Sequence, residues 1–156
     1  MFPVLLLLAG GRSSRMGTPK GLLDFKGEYW LLHQINKFVG NQVFIGLGYD
    51  SEVYFTTIPW LKNAIENPVS YKGKKVSVLV NPQPEFGLFS NLQNLLKQVN
   101  KKQNVLVLPI DVPLLNSEEQ QLIIQNKNFI TIPKFKNKKG HPVKLNYQFW
   151  NTLLDI

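Results

Sequence analysis

The sequence predicts an α/β protein built on a doubly wound, mostly parallel sheet. Two observations carry that expectation. Segments with strand period and helix period alternate along the chain, as successive βαβ units require. Pro3–Ala9 and Asn104–Pro109 are continuous apolar runs, the pattern of central strands covered on both faces.

The elements follow in order. After the strand at Pro3–Ala9, Tyr29–Val39 has the spacing of an amphipathic helix that contains His33. Gln42–Leu47 and Val76–Val80 read as strands beside the first. Between them, residues 51–75 give little signal beyond a helix over Pro59–Glu66. Ser90–Val99 reads as a helix and leads into the second central strand. Asn116 or Ser117, followed by Glu118, Glu119 and Gln120, makes a capping-box start for a helix over Ser117–Gln125. Phe129–Pro133 and Pro142–Leu145 are shorter strand candidates, and Tyr147–Leu154 closes as a helix. Ligands of such sheets bind outside the carboxyl ends of the strands. The Gly10–Lys20 loop and Asp111 both follow strand ends, so one edge should hold them together.

Bulk properties narrow the class. A chain of 156 residues suits one domain, spanning 1–156. Hydrophobic content of 44% and aromatic content of 12% are ordinary for a folded protein. No apolar run reaches the roughly 18–20 residues of a membrane span. The apolar start lacks the basic flank of a secretory signal. With no cysteine, disulfides and thiolate metal sites are excluded, and a cytoplasmic setting is expected. The net charge of +8 invites a nucleic-acid partner. Its lysines are scattered, however, with clusters only at Lys72–Lys75 and Lys134–Lys139, and no basic stripe interleaves with aromatics. Nucleic acid is therefore not the expected partner. Steering of an anionic nucleotide toward a basic cleft is a milder consequence of the charge.

The stretch VLLLLAGGRSSRMGTPK, residues 4–20, is the most informative. An apolar strand that empties into a Gly-rich loop of fixed donors is how many α/β folds hold a polyphosphate. Glycines let the backbone approach the ligand, while Arg12, Arg15 and Lys20 add full positive charges. Neither familiar phosphate loop fits. Five residues separate Gly11 from Gly17, and Thr18 stands where a Walker loop needs lysine. Gly10 and Gly11 are adjacent, which breaks the dinucleotide fingerprint.

Other positions carry candidate chemistry. Asp111 leaves an apolar strand in a D-x-P setting, where a carboxylate calls for a positive partner. Mg²⁺ on a triphosphate is the natural one, and a turn cap is the alternative. The Asn81 amide suits a base edge, although Asn before Pro also opens turns. Ser90 fits either a nucleotide contact or a helix N-cap. His141 stands alone in its segment, and a lone histidine is more often structural than catalytic.

Leu8 to Lys20, read as L-A-G-G-x-S-x-R-M-G-x-x-K, resembles the signature loop of the sugar-nucleotide and cofactor nucleotidyltransferases. The likeness is strongest to the molybdenum cofactor nucleotidyltransferases. Asn81–Leu92 (NPQPEFGLFSNL), Leu106–Leu115 (LVLPIDVPLL) and Gly140–Leu145 (GHPVKL) agree in order and spacing. The resemblance implies a Rossmann-like nucleotidyltransferase fold. It also implies transfer of GMP or CMP from GTP or CTP to molybdopterin, with Mg²⁺ or Mn²⁺ as cofactor. In that reading Lys20 and Arg15 are catalytic and Lys20 touches the triphosphate. The backbone of Leu8, Ala9, Gly10 and Gly11 borders the nucleotide, with Arg12 at a variable position. Asn81, Gly87 and Ser90 belong to the base and ribose region, Asp111 binds nucleotide and metal, and His141 lines the acceptor side.

Two departures bear on specificity. K-G-L-L at Lys20–Leu23 resembles the guanylyl branch, which carries an acid where this chain has Pro19. G-L-F-S-N-L and G-H-P-V resemble the cytidylyl branch, and the balance tips slightly to CTP. Relatives run on past the last helix, so a shortened C-terminus is expected, with a second metal acid either missing or supplied by Asp155. Two rivals remain open: a nucleotidyltransferase acting on a sugar phosphate or another phosphate acceptor, and a nucleotide-binding module without catalysis.

Overall fold

The computed structural model describes residues 2–12 and 17–156. Its strands and helices, in chain order, begin with β1 (Val4–Ala9), β2 (Asp24–Phe25), β3 (Glu28–Tyr29), α1 (Trp30–Lys37) and β4 (Gln42–Leu47). There follow α2 (Ser51–Thr57), α3 (Trp60–Asn63), β5 (Val69–Tyr71), β6 (Lys74–Val80), α4 (Gly87–Leu96) and β7 (Val105–Pro109). The last part holds α5 (Ser117–Gln125), β8 (Ile130–Thr131), β9 (Lys134–Phe135), β10 (Lys138–Lys139), β11 (Val143–Leu145) and α6 (Tyr147–Trp150).

Among the described residues the main sheet has the order β5-β6-β4-β1-β7-β11-β8. Its four long central strands, β6, β4, β1 and β7, are all parallel. β5 and β11 run antiparallel to their inner neighbours, and β8 runs antiparallel to β11. This is the expected α/β sheet with antiparallel flanks. β1 is fixed on both sides: Leu6 faces Phe44 across one ladder and Val107 across the other. The chain winds from β1 outward to β6, then crosses back to place β7 on the far side of β1. The crevice between the ends of β1 and β7 is thus the topological switch point, where such sheets bind ligands.

Alternation along β1 divides the core. Leu5, Leu7 and Ala9 join a cluster with Leu31 and Ile35 of α1, Tyr54 and Phe55 of α2, and Ile123 of α5. Val4, Leu6 and Leu8 point the other way, onto Leu95 and Leu96 of α4 and Trp150 of α6. Strand period thus sends successive leucines to opposite helical layers, each burial contributing about 1.5–3 kcal/mol before entropy.

Several boundaries differ from expectation. α4 starts at Gly87 rather than Ser90, because Gly87 takes φ +85° and turns the chain into the helix early. The last helix breaks after Trp150 into a 3-10 turn over Asn151–Asp155. The Pro59–Glu66 segment forms only α3, and α2 fills part of the stretch that gave no signal. At α5 the cap is resolved: the Asn116 side chain accepts the Glu119 N–H at 2.9 Å.

Candidate active site

The loop after β1 and the turn after β7 meet. Lys20 Nζ lies 3.6 Å from Asp111 Oδ2, both side chains being about half exposed (55% and 50%). That separation exceeds a charge-assisted hydrogen bond of about 2.7–2.9 Å. The two groups attract one another without saturating either, so each retains lone pairs or protons for a ligand. They stand at the wall of a cleft of about 510 Å³ lined by Leu8, Ala9, Gly11, Arg12, Asp50 and Tyr54, among others.

Each charge is carried on a braced turn. Lys20 opens a 3-10 turn, Lys20–Leu22, closed by Leu22 N–H to Pro19 O at 2.9 Å and Leu23 N–H to Lys20 O at 3.2 Å. Gly21 N–H donates to the Tyr54 hydroxyl at 3.2 Å, which ties this turn to α2. Burial pushes the Tyr54 phenol up to about 12; the Gly21 N–H opposes the rise and the charge of Asp50 adds to it. Asp111 sits between two carbonyls held by α1. Trp30 Nε1–H donates to Ile110 O at 2.6 Å, and Gln34 Nε2–H donates to Val112 O at 2.6 Å. Gln34 Oε1 also accepts the Leu114 N–H at 3.1 Å. His33 lies on the same helix, paired with Glu28 at 2.8 Å, and does not line the cleft.

The expected nucleotide residues fall into groups. Leu8, Ala9, Gly11, Lys20 and Asp111 line the cleft together, as does Arg12. The Arg12 guanidinium lies 4.2 Å above the centre of the Tyr49 ring. At Gly10 an added Cβ would stand 2.8 Å from Asn91 Nδ2, so the loop passes where no side chain fits. Arg15 lies outside the described residues.

Asn81 and Ser90 do not line the cleft. Asn81 is 4% exposed and both polar atoms of its amide are hydrogen-bonded within the protein. Nδ2 donates to Ser90 Oγ at 3.3 Å, and Oδ1 accepts Gln83 N–H and Asn94 Nδ2–H, both at 3.0 Å. The pair therefore welds the end of β6 to α4, and Ser90 is not the helix cap. Gly87 starts α4, whose next residue, Leu88, reaches the cleft wall. His141 precedes β11 and also stands outside the cleft-lining set. Because Val143 faces Val107 in an antiparallel pair, the chain before β11 arrives at the same sheet edge as Asp111.

The residues that sequence reasoning passed over are Asp50 and Tyr54. Asp50 had a readable signal, since G-Y-D follows an apolar strand just as Asp111 does. Tyr54 had none, being one aromatic in a segment without clear period. Asp155 ends the C-terminal turn that Gln93 holds through Leu153 O at 2.9 Å. It does not line the cleft, so the acid that accompanies Asp111 there is Asp50.

No group of three or more His, Cys, Asp or Glu is gathered among the described residues. Hard cations that retain water and phosphate ligands need only one or two carboxylates. A half-exposed Asp111 with Asp50 in the same cleft meets that requirement for Mg²⁺ or Mn²⁺.

Residues 5–156 match the family of the MobA-like NTP transferase domain. The chain belongs to that family. As a MobA-like NTP transferase domain it is a nucleotidyltransferase, and its sheet has the fold of solved relatives. Rv0371c from Mycobacterium tuberculosis H37Rv superposes with a TM-score of 0.73 at 21% identity, over 99% of this chain and 77% of that one. The same protein has been solved in complex with manganese (TM-score 0.71, 18% identity, 100% and 77% covered). A nucleotidyl transferase from Methanothermobacter thermautotroptrophicus, Mth528, gives 0.71 at 14% identity, covering 99% and 76%. Molybdopterin-guanine dinucleotide biosynthesis protein A from Archaeoglobus fulgidus gives 0.64 at 14% identity, covering 96% and 70%. No curated protein matches the chain. No helix among the described residues is long and apolar enough to cross a membrane.

Proposed function

We propose that this single domain transfers CMP or GMP from CTP or GTP to the phosphate of a molybdopterin-type acceptor, and that it works in the cytoplasm. An acceptor phosphate oxygen attacks the α-phosphorus, the bond from the α-phosphorus to the bridging oxygen breaks, and pyrophosphate leaves with that oxygen. The observation that carries the reading is Lys20 opposite Asp111, 3.6 Å apart at the switch point of the sheet.

Both reactants are polyanions, so fixed positive charge lowers the barrier most. Lys20 neutralises the triphosphate as a point charge, and Arg15 clamps phosphate oxygens bidentately. The backbone of Leu8, Ala9, Gly10 and Gly11 approaches the nucleotide closely, since the glycines there carry no side chain to intervene. A divalent ion, Mg²⁺ or Mn²⁺, held by Asp111 would add positive charge to the phosphate oxygens. Asn81, Gly87 and Ser90 shape the base and ribose side by fixing how α4 leaves β6. His141 approaches the acceptor from the β11 side of the same edge.

The direct test is pyrophosphate release from CTP and GTP with molybdopterin and Mg²⁺, against the Lys20→Ala and Asp111→Asn variants. The reading expects a drop of about 10²–10³ in kcat/KM for each variant. Turnover with a sugar phosphate but not molybdopterin would move the acceptor to the rival class. Tight nucleotide binding with no product from any acceptor would leave a nucleotide-binding module.

A further inference from the structure

We propose that Trp30 is the positioning residue that sets the separation between Lys20 and Asp111. The inference rests on the proposed function, in which those two groups serve the triphosphate and its metal. Trp30 touches both halves of the site through different atoms. Its backbone N–H donates to Leu23 O at 2.9 Å, and Leu23 N–H in turn holds Lys20 O at 3.2 Å. Its indole Nε1–H donates to Ile110 O at 2.6 Å, on the residue before Asp111.

Gln34 completes the frame one turn further along α1. Residues four apart share a helix face, and Gln34, wholly buried, fastens Val112 O at 2.6 Å on the other side of Asp111. Both carbonyls that flank the carboxylate are therefore tied to one helix, whose first N–H secures the turn of the lysine. The indole is itself packed, edge-on to Phe25 at 5.1 Å and stacked on His33 at 5.5 Å. The backbone turns that carry the two charges are thus held in place before any ligand arrives, as electrostatic preorganisation requires.

Trp30→Phe keeps the ring and the backbone N–H but leaves Ile110 O without its donor. In ligand-free protein, amide exchange at Val112 and Leu114 should accelerate about tenfold while Leu106 and Val107 exchange as in wild type. Mn²⁺ affinity, followed by electron paramagnetic resonance with CTP or GTP bound, should fall about tenfold. Metal-free nucleotide affinity should stay within about twofold of wild type, since Lys20 and the glycine loop are retained. Trp60→Leu is the control: it removes the stacking on Tyr71 at 5.2 Å and lowers Tm without shifting exchange at Val112 or metal affinity. Gln34→Met, which cuts both bonds beyond Asp111, should reproduce the Trp30→Phe pattern and serves if that variant does not fold. The proposal is overturned if Trp30→Phe behaves as Trp60→Leu does, or if metal and nucleotide affinities fall together. Wild-type protein that binds no triphosphate would end the proposed function, and the exchange measurement would still decide whether Trp30 holds the Asp111 turn.

Discussion

The hydroxyl oxygen of Tyr54 stands 3.2 Å from the amide nitrogen of Gly21, and it occupies the space that a side chain at position 21 would need. A buried phenol and an absent methyl group are therefore one device for holding the turn of Lys20. Gly21→Ala should destabilise the protein by about 1–3 kcal/mol through overpacking. Urea denaturation of Gly21→Ala, Tyr54→Phe and the double variant measures the coupling. Only partial recovery of stability is expected in the double variant, because losing the hydroxyl removes the nearest atom while ring carbons Cε1 and Cζ still stand 2.9 and 3.0 Å from the added methyl. Strict additivity would contradict the contact.

The same phenol predicts an alkaline dependence. In the unfolded chain it loses its proton near 10.0, whereas burial holds the folded group up to about 12. The folded state therefore binds the proton more tightly than the unfolded state. Its contribution is fully present below pH 10 and is lost as pH rises toward 12, by up to about 3 kcal/mol. The stability gap between wild type and Tyr54→Phe should narrow or reverse between pH 9 and 12. A gap that does not change with pH would refute the assignment.

Lys144 is 3% exposed, and its ammonium donates to Ile124 O at 2.7 Å and Asn126 O at 2.5 Å. It therefore satisfies carbonyls at the end of α5 that have no helical partner. Lys144→Met preserves the length of the side chain and leaves both partly buried carbonyls without this donor. A loss of about 1–2 kcal/mol is expected, seen as a fall in Tm of roughly 2–8 °C. The kcat of the remaining folded protein should match wild type.

Asn91 packs against the glycine loop from below. It is 3% exposed, its Nδ2 donates to Gly46 O at 3.2 Å, and its Oδ1 finds no partner among the described residues. A methyl group at Gly10 would strike that amide. Gly10→Ala should weaken triphosphate binding by about tenfold, or ~1.4 kcal/mol. Adding Asn91→Ala should restore part of it by opening the space, which calorimetry would detect.

The long apolar strands were legible because burial on both faces leaves no polar position in β1 or β7. Lys20 and Asp111 were legible because each follows such a strand. α2 was not, since Ser51-Glu-Val-Tyr-Phe-Thr-Thr57 mixes β-branched and aromatic residues in a segment that packing makes helical. The small hairpins were also missed. Lys26, Lys72 and Lys136 each open a two-residue turn with positive φ (51°, 47° and 50°), followed by Gly27, Gly73 or Asn137. Such turns twist in the sense that the flanking strands demand. The clusters at Lys72–Lys75 and Lys134–Lys139 are thus hairpins, and only the K-G and K-N pairs foretold them. The framing of Asp111 by Trp30 and Gln34 had no local signature, because its bonds join residues about eighty positions apart.

The reversed direction of β11 has a consequence for how this scaffold can change. Residues 132–142 lead from β8 to β11 on the far side of β7, whereas Trp30, Gln34 and Tyr54 brace the turns of Lys20 and Asp111 from α1 and α2. Insertions or altered charge in that excursion are expected to leave the bonds that brace Lys20 and Asp111 intact. Under the proposed function, that segment is where the acceptor preference would change, with the donor half carried over unaltered.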